Sequence, residues 1–129
     1  MPAETTLQRF SPIVLRLGLT ALFLWFGISQ LIAPNDWVAW VPQWVPDFTH
    51  MDAKMIVLLN GGFEVIFGIL MLLGFFVRWA ALILGLHLLS IAFELGYGDI
   101  AARDVALAIC CFALALYGND DWALQRKFS

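Results

Sequence analysis

The chain has 129 residues, of which 62% are hydrophobic and 13% charged, with a formal net charge of −3. Ordinary soluble domains are about 45–50% apolar and about 25% charged, and small domains bury only about two thirds of the surface they expose unfolded, so a soluble fold cannot hide this much apolar area. No basic stripe and no RNA-binding aromatic pattern is present, which excludes nucleic acid as a partner.

A bilayer dissolves such side chains, and one crossing needs about 20 mostly apolar residues. Four stretches qualify. The first covers residues 13–33, with Ser11 and Pro12 as N-cap and first-turn residue and Pro34 as its stop. Its length, with Arg16 inside it and Glu4 before it, reads as a retained span rather than a cleaved signal peptide. Residues 34–52 form the one sizeable extramembrane loop, where Trp37, Trp40 and Trp44 stand among Pro34, Pro42 and Pro46. Tryptophan suits a membrane interface because its ring is apolar and its N–H wants water. These three are read either as an interfacial anchor or as a lid over a cavity. The second span covers residues 53–76 behind Asp52, the third residues 79–96 after Val77 and Arg78, and the fourth residues 100–117 between Asp99 and Gly118. Asp52 and Asp99 are candidate N-caps and Gly118 a C-terminal stop.

The expected fold is therefore all-α: a single transmembrane domain over residues 1–129, an integral membrane four-helix bundle of up-down topology. An even number of spans puts both ends on one side, which collects Arg9, Arg16, Arg78, Arg126 and Lys127. The other side holds Lys54 and Arg103 against Asp36, Asp47, Asp52, Asp99 and Asp104. The positive-inside rule then places both termini in the cytoplasm, with the bacterial cytoplasmic (inner) membrane as the expected location.

Ionisable side chains inside a span are costly, so each needs a partner, an interfacial exit or a function. From the helical rise, Arg16 lies roughly 8 Å, His87 roughly 12 Å, Glu64 roughly 18 Å and Asn60 roughly 24 Å from the cytoplasmic end. Arg16 either snorkels to the interface or pairs with Glu64. Glu64 sits near the midplane, where snorkelling fails. It is either a structural group satisfied by Asn60 or His87, or part of a polar cavity built from Glu64, His87, Asn60 and Arg16. Glu94, Asp99, Arg103 and Asp104 are expected to form an ionic cluster tying the last two spans, with Arg103 on Asp99 at i, i+4. Gln30 is near enough to the outer end to reach headgroups or the loop.

Ala81 and Gly85 in the third span, and Ala102 and Ala106 in the fourth, have the spacing of close helix contacts; Gly61, Gly62 and Gly68 thin the second. Cys110 and Cys111 are neighbours on a helix and read as small packing residues, not as a disulfide or metal site. Glu64 and His87 alone are two ligands short of a metal site. The other histidine, His50, lies in the loop, which argues against bis-histidine haem. No interior proline breaks a span, and no flavin or iron–sulfur motif is present.

The stretch Leu15-Arg16-Leu17-Gly18, followed by Phe26-Gly27-Ile28-Ser29-Gln30-Leu31, resembles the first span of the DoxX family. GFEVIFGILMLLGFFVRWAA, from Gly62 to Ala81, resembles that family's second span, turn and third-span start, with Glu64 four before Gly68 and Arg78 after the turn. RDVALAI, from Arg103 to Ile109, resembles the start of its last span. The resemblance implies a small four-helix membrane protein, in a family some of whose members are linked to quinone-coupled sulfur oxidation or to oxidoreductase complexes in thiol stress. Arg16 and Glu64 match its polar signature, and no catalytic residue set transfers. The leading expectation is a membrane subunit of a redox system that binds an isoprenoid quinone or similar lipid, with electrons from a partner protein. The alternatives are a non-enzymatic assembly or scaffold subunit, alone or as a homo-oligomer, and a small-solute or proton transporter. Whether the chain is itself an enzyme stays open.

Overall fold

The computed structural model describes residues 5–128, the last by its backbone alone. Helix α1 spans Thr6–Ile32. Thr5 Oγ1 accepts the Gln8 N–H at 3.2 Å while Gln8 Oε1 accepts the Thr5 N–H at 2.7 Å, a reciprocal box that satisfies two of the end's orphan donors. The helix therefore starts before the expected cap at Ser11, and Pro12 lies inside it rather than in its first turn. Pro34 stops α1 as expected and opens a 3₁₀ turn, Pro34–Asp36, followed by a second, Val38–Trp40. Short helix α2, Trp44–Thr49, completes the loop.

Helix α3, Ala53–Leu73, ends before the expected residue 76 because Gly74 takes the left-handed conformation at φ 84° and closes on the Leu70 carbonyl. Asp52 stands at its N-cap position without a side-chain cap bond. After a three-residue turn, residues 74–76, helix α4 runs Val77–Leu95. Helix α5 is Asp99–Tyr117, so Asp99 is its first residue rather than its cap. Gly118, at φ 86°, ends it with a bond to the Leu114 carbonyl. A turn leads to α6, Leu124–Phe128.

Helices α1, α3, α4 and α5 are each long and apolar enough to cross a membrane. Large apolar side chains line their outer faces, among them Trp25, Ile66, Phe93 and Leu116, as suits helices solvated by lipid tails rather than water. The four form two tight antiparallel pairs, α1 with α3 and α4 with α5, and the pairs touch each other more sparsely. Gly27 and Gly61 make the first crossing. A Cβ on Gly27 would stand 2.9 Å from the Gly61 carbonyl oxygen and 2.8 Å from Val65 Cγ2, and one on Gly61 would stand 2.9 Å from the Gly27 oxygen. In the second pair Gly85 lies under Phe112 and Cys111. The expected contact face of α5 is corrected: Ala102 and Ala106 are exposed, and Asp104, Ala108, Cys111 and Ala115 face inward instead. Gly62 likewise has open space around it.

The two pairs are fastened at the end that carries both termini. Arg16 is 1% exposed, and it neither snorkels nor reaches Glu64. Its Nε and Nη2 donate to the two oxygens of Asp120 at 2.7 and 3.2 Å, and its Nη1 donates to the Met71 and Leu72 carbonyls at 2.7 and 3.0 Å. The guanidinium thus closes the C-terminal end of α3, where carbonyls lack helical partners, and draws the segment after α5 beneath the bundle. That segment is held further by Gln125, whose N–H donates to the Gly74 carbonyl and whose Oε1 accepts the Phe76 N–H at 2.6 Å. Phe10 meets Trp122 edge-on at 5.8 Å, and Asp121 receives Arg9 and Arg126. Arg78 caps α5 by donating to the Ala115, Leu116 and Tyr117 carbonyls.

Removing one partner of a buried ion pair strands the other charge, at about 3–5 kcal/mol. Asp120→Ala is expected to destabilise the detergent-solubilised protein by that order in thermal unfolding, and Asp121→Ala, with half-exposed partners, by no more than about 1 kcal/mol. Gly27→Ala forces two backbones apart and is expected to cost about 1–3 kcal/mol, while Gly62→Ala in open space changes stability by less than about 0.5 kcal/mol.

Candidate functional site: a cavity between the helix pairs

Toward the loop end a half-open cavity of about 360 Å³ lies between the two pairs, within the usual range for small-molecule sites of about 300–1,000 Å³. All four long helices contribute: Phe23, Phe26 and Gln30 from α1, Asn60 and Glu64 from α3, Leu88, Ile91 and Leu95 from α4, Arg103, Asp104 and Leu107 from α5. A neighbouring lobe of about 280 Å³ shares Gln30, Trp40, Asn60, Ile91 and Leu95 and adds His87, Ser90 and Glu94. Trp37 and Trp40 both line the main cavity, Trp37 braced edge-on against Phe26 at 5.5 Å. Trp40 ends the second 3₁₀ turn, and Trp37 stands between the two. Trp44, on α2, is half exposed and lines neither lobe, so the expected trio of tryptophans divides.

Spacing of four puts Asn60 and Glu64 on one face of α3, and Gln30 meets them across the Gly27–Gly61 crossing. The Asn60 amide nitrogen donates both to Gln30 Oε1 at 2.7 Å and to Glu64 Oε1 at 3.0 Å. His87 approaches from α4: its Nε2 is 3.6 Å from Glu64 Oε1, and its ring leans on Phe63 at 4.7 Å. Glu64 is 4% exposed. Its second oxygen, Oε2, is buried with no hydrogen-bond partner, as are His87 Nε2 and Thr20 Oγ1. Buried polar atoms are ordinarily satisfied, which sets apart Glu64 on the main cavity and His87 on the neighbouring lobe, each with one buried side-chain atom that makes no hydrogen bond.

Of the four residues expected to form the polar cavity, Glu64, Asn60 and His87 converge and Arg16 does not. Its guanidinium is committed at the termini end. The expected four-residue ionic cluster also separates. Arg103 lies 3.4 Å from Asp104 rather than on Asp99, which is exposed; Asp104 is buried against the cavity, and Glu94 joins His87 in the smaller lobe. The cause is helical phase: Asp104 shares its face with Ala108 and Cys111, and Asp99 does not. Cys110 and Cys111 are free thiols in the α4–α5 contact region. Among the described residues no three His, Cys, Asp or Glu side chains converge as metal ligands.

Sequence reasoning missed Asp120 as the partner of Arg16, and Gln30 as part of the Asn60–Glu64 network. A signal for the first existed in the acidic pair Asp120-Asp121, placed just beyond α5 on the side otherwise rich in arginine. Nothing local marked the second.

Four helices long and apolar enough to cross a bilayer mark a multi-pass integral membrane protein. Residues 11–98 match the model of the DoxX family; the chain belongs to that family. The match takes in α1 from Ser11 onward, the tryptophan loop, α3 and α4, and so includes Arg16, Glu64 and His87, while Asp104 and Asp120 lie beyond it. No curated protein and no solved structure matches the chain.

Asn60→Ala leaves Gln30 Oε1 and Glu64 Oε1 without their donor, and is expected to lower stability by about 1–3 kcal/mol. Thermal unfolding in detergent checks this, with Ser90→Ala, whose exposed hydroxyl bonds only its own helix, expected to change it little.

Proposed function

We propose that this DoxX-family protein is the membrane subunit of a redox system, and that its cavity binds an isoprenoid quinone or its quinol. The observation that carries the reading is the pairing of apolar and aromatic walls with Glu64, whose buried Oε2 makes no hydrogen bond, and with His87 in the neighbouring lobe. The aromatic and aliphatic side chains suit a substituted ring and the start of a hydrocarbon tail. Glu64 and His87 suit the ring's oxygen substituents. When bound, such a ring supplies two-electron, two-proton chemistry, with electrons from a partner protein. The chain's own residues hold and orient it: Glu64 Oε2 and His87 Nε2 hold protons or accept them at the ring's edge, Asn60 keeps Glu64 in place, and Trp37 and Trp40 limit water from the loop side. In this reading both termini face the cytoplasm of a bacterial cell and the tryptophan loop faces outward across the inner membrane, as the arginine-rich termini end favours.

The direct test is the lipid extract of purified protein. Isoprenoid quinone or quinol is expected at near one per chain, reduced by about tenfold in Glu64→Gln and unchanged in Asp99→Asn. No enrichment over the surrounding membrane lipid would overturn the reading. A second reading also has a specific observation behind it. The Gln30–Asn60–Glu64 chain ties α1 to α3 and fits a scaffold in which Glu64 only fixes helix register. Glu64→Gln lowering the unfolding temperature while leaving quinone content unchanged would favour that alternative.

A further inference from the structure

Helix α1 has 27 residues against 21, 19 and 19 in α3, α4 and α5, and its excess lies at the end that carries both termini. Counted from the Gly27–Gly61 crossing, Leu15 stands level with Leu73, the last residue of α3. The turns from Thr6 to Val14 therefore project past α3. At about 1.5 Å of rise per residue, Arg9 stands roughly 9 Å beyond that level. A helix the length of α3 matches the hydrocarbon core, which takes about 20 residues, and headgroups begin where it ends. Arg9 is thus at the depth of lipid phosphates.

A groove of about 450 Å³ lies on this projecting end, lined by Thr6, Arg9, Phe10, Ile13, Asp121 and Trp122. Its two rings are half exposed and meet edge-on. Arg9 donates its Nε to Asp121 Oδ2 at 2.8 Å, and among the described residues its two Nη groups make no hydrogen bond. Arg126 Nη1 takes the other oxygen of Asp121 at 2.6 Å. One carboxylate therefore stands between two exposed guanidiniums, with exposed Lys127 beside them on α6. Asp120, the neighbouring acid, is buried and matched by Arg16.

We propose that this groove binds an anionic phospholipid, its phosphate on the Arg9 guanidinium and an acyl chain running along Phe10 and Ile13 into the hydrocarbon. A guanidinium offers a planar fork of N–H donors that matches phosphate oxygens. Holding Nε on Asp121 orients that fork before the lipid arrives. Zwitterionic lipids carry a phosphate too, so the choice between headgroups falls to the charges around it: Lys127 and Arg126 favour a net negative headgroup and repel a choline. Each basic side chain near an anionic lipid surface is worth about fivefold in affinity. The site lies at the opposite end of the spans from the interhelical cavity and is independent of what that cavity binds.

Native mass spectrometry of the intact detergent-solubilised protein tests this, with dioleoyl phosphatidylglycerol and dioleoyl phosphatidylcholine titrated separately. The first phosphatidylglycerol is expected to bind about tenfold more tightly than the first phosphatidylcholine. Arg9→Gln and Lys127→Gln are each expected to weaken phosphatidylglycerol about fivefold, and either variant suffices should the other fail to fold. Lys54→Gln, which removes an exposed positive charge at the loop end, is expected to leave it unchanged. Equal affinity for the two lipids overturns the proposal. So does an equal loss in Lys54→Gln and Arg9→Gln, the mark of attraction spread over the whole protein.

Discussion

The guanidinium of Arg16 is withdrawn from both water and lipid, and much of the bundle is arranged to make that tolerable. An arginine cannot shed its charge, so burial requires a counter-ion in fork geometry and acceptors for its remaining N–H groups. Asp120 supplies the first and the free carbonyls at the end of α3 supply the rest. Meeting those needs forces the chain after α5 to turn back beneath the bundle, and there it also engages the α3–α4 turn through Gln125. One side chain near the start of the protein thereby organises its last residues.

With the termini end fastened, the two helix pairs behave differently along their length. Each pair is internally close, because glycine lets backbones meet at Gly27–Gly61 and beneath Phe112 at Gly85. Between the pairs, Leu19, Met71, Leu84 and Leu114 pack in one core cluster, which reaches the cavity wall at Phe23. Toward the loop the fill runs out, and the space is bordered by aromatic rings and by Glu64, His87 and Asp104. A bundle built for stability alone would place apolar side chains here, since a well-packed apolar replacement is often as stable as a buried polar group. The proposed ligand site rests on this glutamate, whose Oε2 makes no hydrogen bond.

Much of the candidate site was legible because depth and helical phase follow from residue number. Asn60 and Glu64 share a face by their spacing of four, and His87 falls near their level on another span; these three do meet. The misplacements have identifiable competitors. At the start of α1 the Thr5–Gln8 box satisfies more backbone donors than a Ser11 cap could, so the helix begins earlier and takes Pro12 inside. At the end of α3 the left-handed Gly74 terminates the helix although the apolar run continues through Phe75 and Phe76. In α5, Asp99 and Arg103 have the spacing of a helix ion pair, but the inward face belongs to Asp104.

What the sequence determined by itself is the solvent and the elements. A 62% hydrophobic chain with four long apolar runs belongs in lipid, and proline, glycine and capping residues bound its helices within a few positions. Which polar groups become partners was decided only in three dimensions. Arg16 and Asp120 are 104 residues apart, and no periodicity links a helix to a tail. The rotation of one helix against another depends on where backbones can approach most closely, which sets Gly27 on Gly61 and so brings Gln30 to Asn60. Periodicity says which residues share a face; close contact and the cost of an unpaired charge choose what that face meets.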